Sequence, residues 1–515
     1  MKKLLNIITV IAFTALLNSC FEDKGNYDYD DPEVITITGF ESSYTAVQGV
    51  DYLNITPTVT SNKPGAQFEY YYAIYETNVQ GYAPVLDTIQ RSGKDLINYP
   101  VTRKAMTYGF IFMAKNKTTG YTGFASSTLN VVTKFNDGWY ILKNVGNVTD
   151  LDLFDNTGKL LVKDVLLTIN GKQLKGKADA ISFASNYSVY DPGTGRFVNT
   201  KTIFPVSDAD AKAVVLTTAK IEKDFDQMFY DVITEPYSPT RFFATFQGIW
   251  TINQGQLYSI YTMSSNAGRF GAASPIDASY TPYHLSKYTI NHTYYGPLGF
   301  DEISSTFLVC PYGGGQLVAT KDATPSDMSV KNSNTTMLYM GSRGTANSYA
   351  FAVMKSKTNP SVKFITKIEG FTTSSNPTLK FTNDTLSTSD PAYSASMYTM
   401  NQTMDVLYFV SNNHIYRKNV ASKGASSVQL PFDPTAGESV SFIKHYQSYS
   451  TYLTDNLFVV GTEAGGKYKV RMFVINTVGD LASSTPVKTF EGTGRAGDVL
   501  LVFPNLSNNN FPVTY

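Results

Sequence analysis

Ile249-Trp250-Thr251-Ile252-Asn253-Gln254-Gly255-Gln256-Leu257-Tyr258-Ser259-Ile260 is the stretch whose reading decides the fold. Two short runs rich in aromatic and β-branched residues flank a turn at Gly255, which is the signature of a β-hairpin. The pattern recurs at Leu407-Tyr408-Phe409-Val410, which turns at Asn412-Asn413 into His414-Ile415-Tyr416. Similar pairs begin near Thr306, Tyr349 and Leu457, so the strand starts fall on average 52 residues apart. At that spacing the 377 residues from Trp139 to Tyr515 hold about seven units. Four-stranded blades of roughly 40–50 residues build propellers, and loops between blades account for the surplus. The run Val499-Leu500-Leu501-Val502-Phe503 is placed to pair with the first blade and close the ring, which would remove two open edges. Two packed β-sandwiches are the alternative that the irregular spacing leaves open.

Composition agrees with an all-β chain. Tyr (36) and Phe (32) are abundant while charged residues make up 16%, and aromatic side chains suit pleated, half-buried surfaces. The basic runs are pairs such as Arg103-Lys104, without the clustered basic face that a nucleic-acid partner requires. With Cys20 and Cys310 as the two cysteines, a disulfide framework is not expected. Cys310 ends the apolar run Thr306-Phe307-Leu308-Val309 and reads as a small buried hydrophobe.

The N-terminus reads as an export signal. Lys2 and Lys3 precede an apolar run from Leu4 to Leu17, then Asn18-Ser19-Cys20. That run is too short for a permanent span, which needs roughly 20 apolar residues. Residues 1–19 are therefore expected to be a lipoprotein signal peptide. A small residue followed by Cys resembles the bacterial lipobox, which implies lipid on Cys20 and a membrane as partner, each buried CH₂ contributing about 0.8 kcal/mol of affinity. Residues 20–33 form an acidic, polar tether that resembles the signal by which Bacteroidetes send lipoproteins to the outer leaflet of the outer membrane. Loss of Lys2 and Lys3 leaves the mature chain with a net charge near −2.

From 34 to 135, short strands punctuated by Gly49, Asn62-Lys63-Pro64-Gly65, Gly93 and Thr119-Gly120 suit one β-sandwich. Phe68 to Tyr75 is its expected central strand, with Tyr108–Ala114 and Thr128–Val132 as the closing hairpin. Together with Phe21-Glu22-Asp23-Lys24-Gly25-Asn26-Tyr27 behind the lipobox, Asn98-Tyr99-Pro100-Val101 and Gly138-Trp139-Tyr140-Ile141-Leu142-Lys143, this region resembles the PKD-like lipoproteins of Bacteroidetes over residues 20 to 160. The Trp-Asp-Phe-Gly-Asp-Gly stretch of ordinary PKD domains is missing. The resemblance implies an Ig/PKD-like sandwich and a setting beside an outer-membrane nutrient importer. Residues 136–515 would then be the seven-bladed β-propeller.

Chemistry is sparse. No His-Glu-x-x-His, Gly-x-Ser-x-Gly or P-loop motif occurs, and nothing points to a metal or other cofactor. Gly313-Gly314-Gly315 reads as a hairpin turn rather than a phosphate cradle. Asp150-Leu151-Asp152-Leu153-Phe154-Asp155 crowds carboxylates, but with the third displaced from alternating ligand positions it reads as a strand and turn rather than a calcium loop. Trp139 and Trp250 open strands and read as core. Asp87-Thr88-Ile89 and Asp384-Thr385-Leu386 resemble the O-glycosylation acceptor of Bacteroidetes. The Tyr-rich segment from Ser274 to Gly299 offers Tyr283, His284, Tyr294 and Tyr295 as candidate ligand contacts, because Tyr pairs a flat apolar face with a polar tip. Packing of these rings over a blade edge is the competing role. The expectation is a non-catalytic surface lipoprotein that binds a glycan or peptide for an importer. A propeller hydrolase or lyase, and an adhesin, are the alternatives; converging carboxylates near the axis would favour the enzyme.

Overall fold

A computed structural model describes residues 31–515 apart from 78–82, 246–247, 264, 291–295, 312–314, 344–348, 372–375, 448–455, 505 and 507–515. The signal segment and Cys20 lie outside the described residues. The chain divides into two compact units, Met1–Val131 and Val132–Tyr515. No helix among the described residues is long and apolar enough to cross a membrane.

The first unit is an Ig/PKD-like sandwich. Its main sheet runs in the order Ser43–Val47, Thr122–Val132, Thr107–Asn116, Phe68–Glu76, Asp87–Arg91. Ile35–Thr38 pairs with Thr58–Ser61, and Tyr52–Ile55 with Leu96–Pro100. Phe68–Glu76 is an interior strand, while the middle place expected for it belongs to Thr107–Asn116; the two pair with Tyr72 opposite Phe112 and Ile74 opposite Phe110. These side chains are buried, and the Tyr72 and Phe112 rings lie 4.7 Å apart. Phe40 and Tyr44 lean onto Phe110 at 5.2 and 5.7 Å, so an aromatic cluster stands where other sandwiches carry a disulfide. The closing hairpin begins earlier than expected, at Thr122 rather than Thr128. From Thr122 to Ser126 its added residues alternate between exposed and half-exposed positions, and the buried one, Ser127, is polar, so they lack the apolar signal of a buried strand.

Among the described residues the second unit contains seven sheets in sequence, the blades of a propeller. Blade 1 holds Gly138–Val145, Val148–Phe154 and Leu160–Val162, with Leu174–Lys175 also pairing on Val148–Phe154 and a short helix, Val165–Asn170, packed against it. Blade 2 is built from Ala178–Asp191, Arg196–Ser207, Lys212–Val215 and Lys220–Asp224. Among the described residues blades 3 and 4 have three strands each, starting at Phe243 and Leu298. Blades 5, 6 and 7 start at Thr335, Met397 and Ser439 and have four antiparallel strands each. Blade 5 also carries the two-residue strand Lys321–Asp322 in parallel on its outer edge.

The ring closes as expected. Arg495–Val502 pairs antiparallel with Gly138–Val145, bringing Val502 opposite Gly138. It completes blade 1 with the inner strand that the blade's first three strands lack. Both hairpins that decided the fold are present, with Asn253 opposite Gln256 and Ser411 opposite His414. Asn412 and Asn413 both have positive φ, as a two-residue hairpin turn of this hand requires. Trp139 and Trp250 are fully buried, and Cys310 is buried.

Candidate functional site

The first strands of blades 2, 5, 6 and 7, with Arg495–Val502, stand side by side around the axis. Charges gather there. Asp498 is the hub: its carboxylate lies 2.7 Å from Lys444 Nζ of blade 7 and 2.7 Å from an Arg241 guanidinium nitrogen just before blade 3. It also accepts the amide N–H groups of Ile181 and Val499. Lys444 donates a further bond to the Val499 carbonyl at 3.0 Å. Because blade 2 lies between blades 1 and 3 in sequence, the Arg241–Asp498 pair joins blades that are not neighbours. Lys287 before blade 4 likewise reaches Asp179 of blade 2 at 3.2 Å.

Local structure explains how Asp498 arrives there. The pairing of Arg495–Val502 with blade 1 shifts register beside Leu142 and Lys143, leaving Gly497 as the extra residue. Such a bulge re-aims the side chain next to it. Gly497 also lets two inner strands approach, since a Cβ there would fall 2.6 Å from the Ala178 carbonyl oxygen. Beyond the charges, Tyr288 meets Tyr339 edge to face and Tyr339 stacks on Tyr398, with ring centroids 5.3 and 5.8 Å apart. The Tyr339 hydroxyl accepts the Met400 amide.

The electrostatics favour ionised pairs. Burial would raise the Asp498 carboxyl, but the Lys444 and Arg241 charges outweigh it and hold the group below its ordinary value. Burial pulls Lys444 down to about 8 against the opposing pull of Asp498. Lys287 is raised because Asp179 more than offsets its burial. Asp498 and Asp179 are therefore each matched to a cation. The arrangement locks blades together rather than presenting one protonated and one ionised carboxyl to a substrate. Elsewhere burial pushes Glu302 up to about 7, but its neighbour Asp301 is committed to the amides of His284, Ile303 and Ser304.

The expected ligand segment is placed differently from its reading. Tyr283 is a core residue beside Trp250 and Cys310, so it has no free ring face to offer. Its hydroxyl donates to the Ser274 carbonyl at 2.7 Å and accepts the Leu257 amide, and burial pushes it up to about 12. His284 is exposed and lies against the Gly255 turn, where an added Cβ would fall 2.4 Å from its Nδ1. Tyr294, Tyr295 and His292 lie outside the described residues. His445 is buried next to Lys444, its Nδ1 accepting the Gln402 amide, and burial pushes it down to about 3. His414 is half exposed and pairs with Asp433 at 2.7 Å.

Among the described residues no group of three His, Cys, Asp or Glu side chains could hold a metal ion. The crowded acids after Asp150 are occupied by internal donors. Asp150 accepts the amides of Leu151, Leu166 and Leu167 and the Gln173 carboxamide. Asp152 meets the buried Lys143 at 3.3 Å and the Tyr468 hydroxyl at 2.7 Å. Asp155 closes a turn through Thr157 and Lys159. Beside them a cleft of about 440 Å³ is lined by Lys143, Val145, Val148, Lys163, Asp164 and Gln173 among others. Of the two glycosylation-like motifs, Thr88 is half-buried in Asp87–Arg91 and Thr385 is exposed at the end of Thr378–Thr385.

Residues 20–178 match the model of the PKD-like family. The match takes in the sandwich and reaches the first residue of blade 2. No curated protein matches the chain. Among solved structures, a quinonprotein alcohol dehydrogenase-like protein from Bacteroides thetaiotaomicron is 13% identical, with a TM-score of 0.39 over 91% of this chain and 98% of that one. The extracellular domain of a one-component system from the same organism is 11% identical, with a TM-score of 0.36 over 90% and 70%. PorZ of Porphyromonas gingivalis, a surface component of the type-IX secretion system, is 8% identical, with a TM-score of 0.32 over 74% and 51%. At these distances the likenesses bear on neither ligand nor activity.

Proposed function

We propose that the chain is a surface lipoprotein, held in the outer membrane by lipid on Cys20, that captures a glycan or peptide and presents it to an importer without chemically altering it. The observation that carries the non-catalytic part is the ion pairing at the axis: Asp498 and Asp179, on the inner strands of blades 1 and 2, are each matched to a cation. A propeller hydrolase would need one of them free to exchange a proton. The lipobox reading and the PKD-like match from residue 20 support the surface setting.

The test has two arms. Labelled palmitate should enter the wild-type protein and not a Cys20→Ser variant. Purified soluble protein should bind members of a glycan and peptide panel and release no product from them. Product release lost in Asp498→Asn would replace this reading with the enzyme; absence of any ligand together with normal growth of a deletion strain on every nutrient would remove it.

A further inference from the structure

The strand pair Ala178–Asp191 and Arg196–Ser207 is the longest in the propeller. The next strand of blade 2 pairs with it only at Thr202 and Ile203. From Tyr187 to Thr200 the hairpin therefore runs on as a two-stranded arm. Isolated hairpins are marginal in water, and this one is fastened to blade 3. The Tyr187 hydroxyl donates to the Gly268 carbonyl at 2.5 Å, and Ser188 Oγ to the Asn266 carbonyl at 2.7 Å. Gly268 has φ +62°, and a Cβ there would fall 2.1 Å from the Ser188 carbonyl oxygen, so the approach requires glycine.

This fixed arm carries rings that face water. Tyr190 and Phe197 are cross-strand partners, 50% and 45% exposed, with centroids 5.5 Å apart. On the blade 3 side of the fastening, Tyr261 is 43% exposed and its carbonyl accepts from Asn266. Tyr230 is 61% exposed, its amide donates to the Phe270 carbonyl, and the Arg269 guanidinium lies 5.9 Å from its ring centre. Tyr190 and Phe197 thus present one paired aromatic face to water, and Tyr261 and Tyr230 add exposed rings on the blade 3 side of the fastening.

We infer that this arm and the adjoining blade 3 loop form a platform for a neutral oligosaccharide, an inference that rests on the proposed role in ligand capture. Tyr and Phe faces held rigidly by β structure stack on sugar rings while Tyr hydroxyls and Arg269 supply hydrogen bonds. Charge decides against other occupants. Asp191 and Arg196 oppose each other at the arm's tip, and Arg269 is matched in number by Asp231, the residue after Tyr230, so there is no cationic excess to draw an acidic polymer or to hold a lipid surface, which favours Lys and Arg beside its aromatic anchors.

The experiment is affinity electrophoresis and calorimetry of the whole mature chain on starch, xylan, mannan and a mixed-linkage glucan, with a random peptide library in parallel. The wild type should bind at least one polysaccharide. Tyr190→Ala with Phe197→Ala should weaken that binding at least tenfold without lowering the melting temperature, Tyr230→Ala about threefold, and Tyr121→Ala in the sandwich not at all. Unchanged affinity in the double variant overturns the platform and leaves ligand capture standing. Binding of peptides alone does the same, whereas binding of neither class removes both readings.

Discussion

The two units hold themselves together by opposite means. The sandwich is stabilised at its middle, where Tyr72, Phe110 and Phe112 pack among strands close in sequence. The propeller depends on its ends, because Arg495–Val502 must reach Gly138–Val145 before blade 1 is complete. A core of local contacts fails piecemeal when one ring is removed. A closed ring fails as a whole when its seam opens.

That contrast can be broken most forcefully by stopping the chain before Arg495. Both tryptophans lie in the propeller and are fully buried, so their emission reports that unit alone. The truncated chain should lose the cooperative tryptophan transition altogether, while amides of the sandwich keep their protection in hydrogen exchange. Phe112→Ala should do the reverse: it should destabilise the sandwich by about 3–5 kcal/mol, as large-to-small changes in aromatic cores do, and leave the tryptophan melting curve in place. Asp498→Ala tests the seam from within. It leaves Lys444 and Arg241 buried without their counter-ion, a loss of about 3 kcal/mol or more in the propeller alone.

Acid should separate the units more gently. Folded His445 titrates near 3, well below the ordinary histidine value, so at intermediate pH the unfolded chain binds a proton that the folded chain refuses. Propeller stability should therefore fall by about 1.4 kcal/mol per pH unit below about 6.5. His445→Gln should flatten that slope in urea melts followed by tryptophan emission at pH 7 and 5. The smallest effect is expected at His414, whose pair with Asp433 is half exposed: His414→Ala should shift stability by less than about 0.5 kcal/mol. A larger change there would mean that surface pairs, and not only the seam, hold the ring.

What could be read from residues alone follows the same division. The hairpins at Ile249 and Leu407 were legible because apolar runs flank a two-residue turn, and the closing hairpin of the sandwich was legible for the same reason. The closing strand was legible as a late apolar run with no local partner. The axial cluster was not, since Asp179, Arg241, Lys287, Lys444 and Asp498 come from five distant places and meet only through the ring. A signal did exist: Asp498 interrupts Gly497-Asp498-Val499-Leu500-Leu501, and Lys444 interrupts Phe442-Ile443-Lys444, each a lone charge in a strand otherwise fit for burial. The candidate Tyr283 misled because a tyrosine in a loop-like stretch has no periodicity to reveal that its ring points inward. The arm at Tyr190 was missed because two exposed rings in long strands look the same in sequence as two buried ones.

The pairing of Gly138 with Val502 also sets an order of events during synthesis. Blades 2 to 7 leave the ribosome before the inner strand of blade 1 exists, so the first three strands of the propeller must wait with an unpaired edge. Bringing ends so far apart together costs on the order of 5 kcal/mol in chain entropy, where closing a short hairpin costs about 2. The nascent propeller is thus most exposed to mispairing with a second chain in the interval before its last strand appears, and a chaperone that covers Gly138–Val145 would act at that moment.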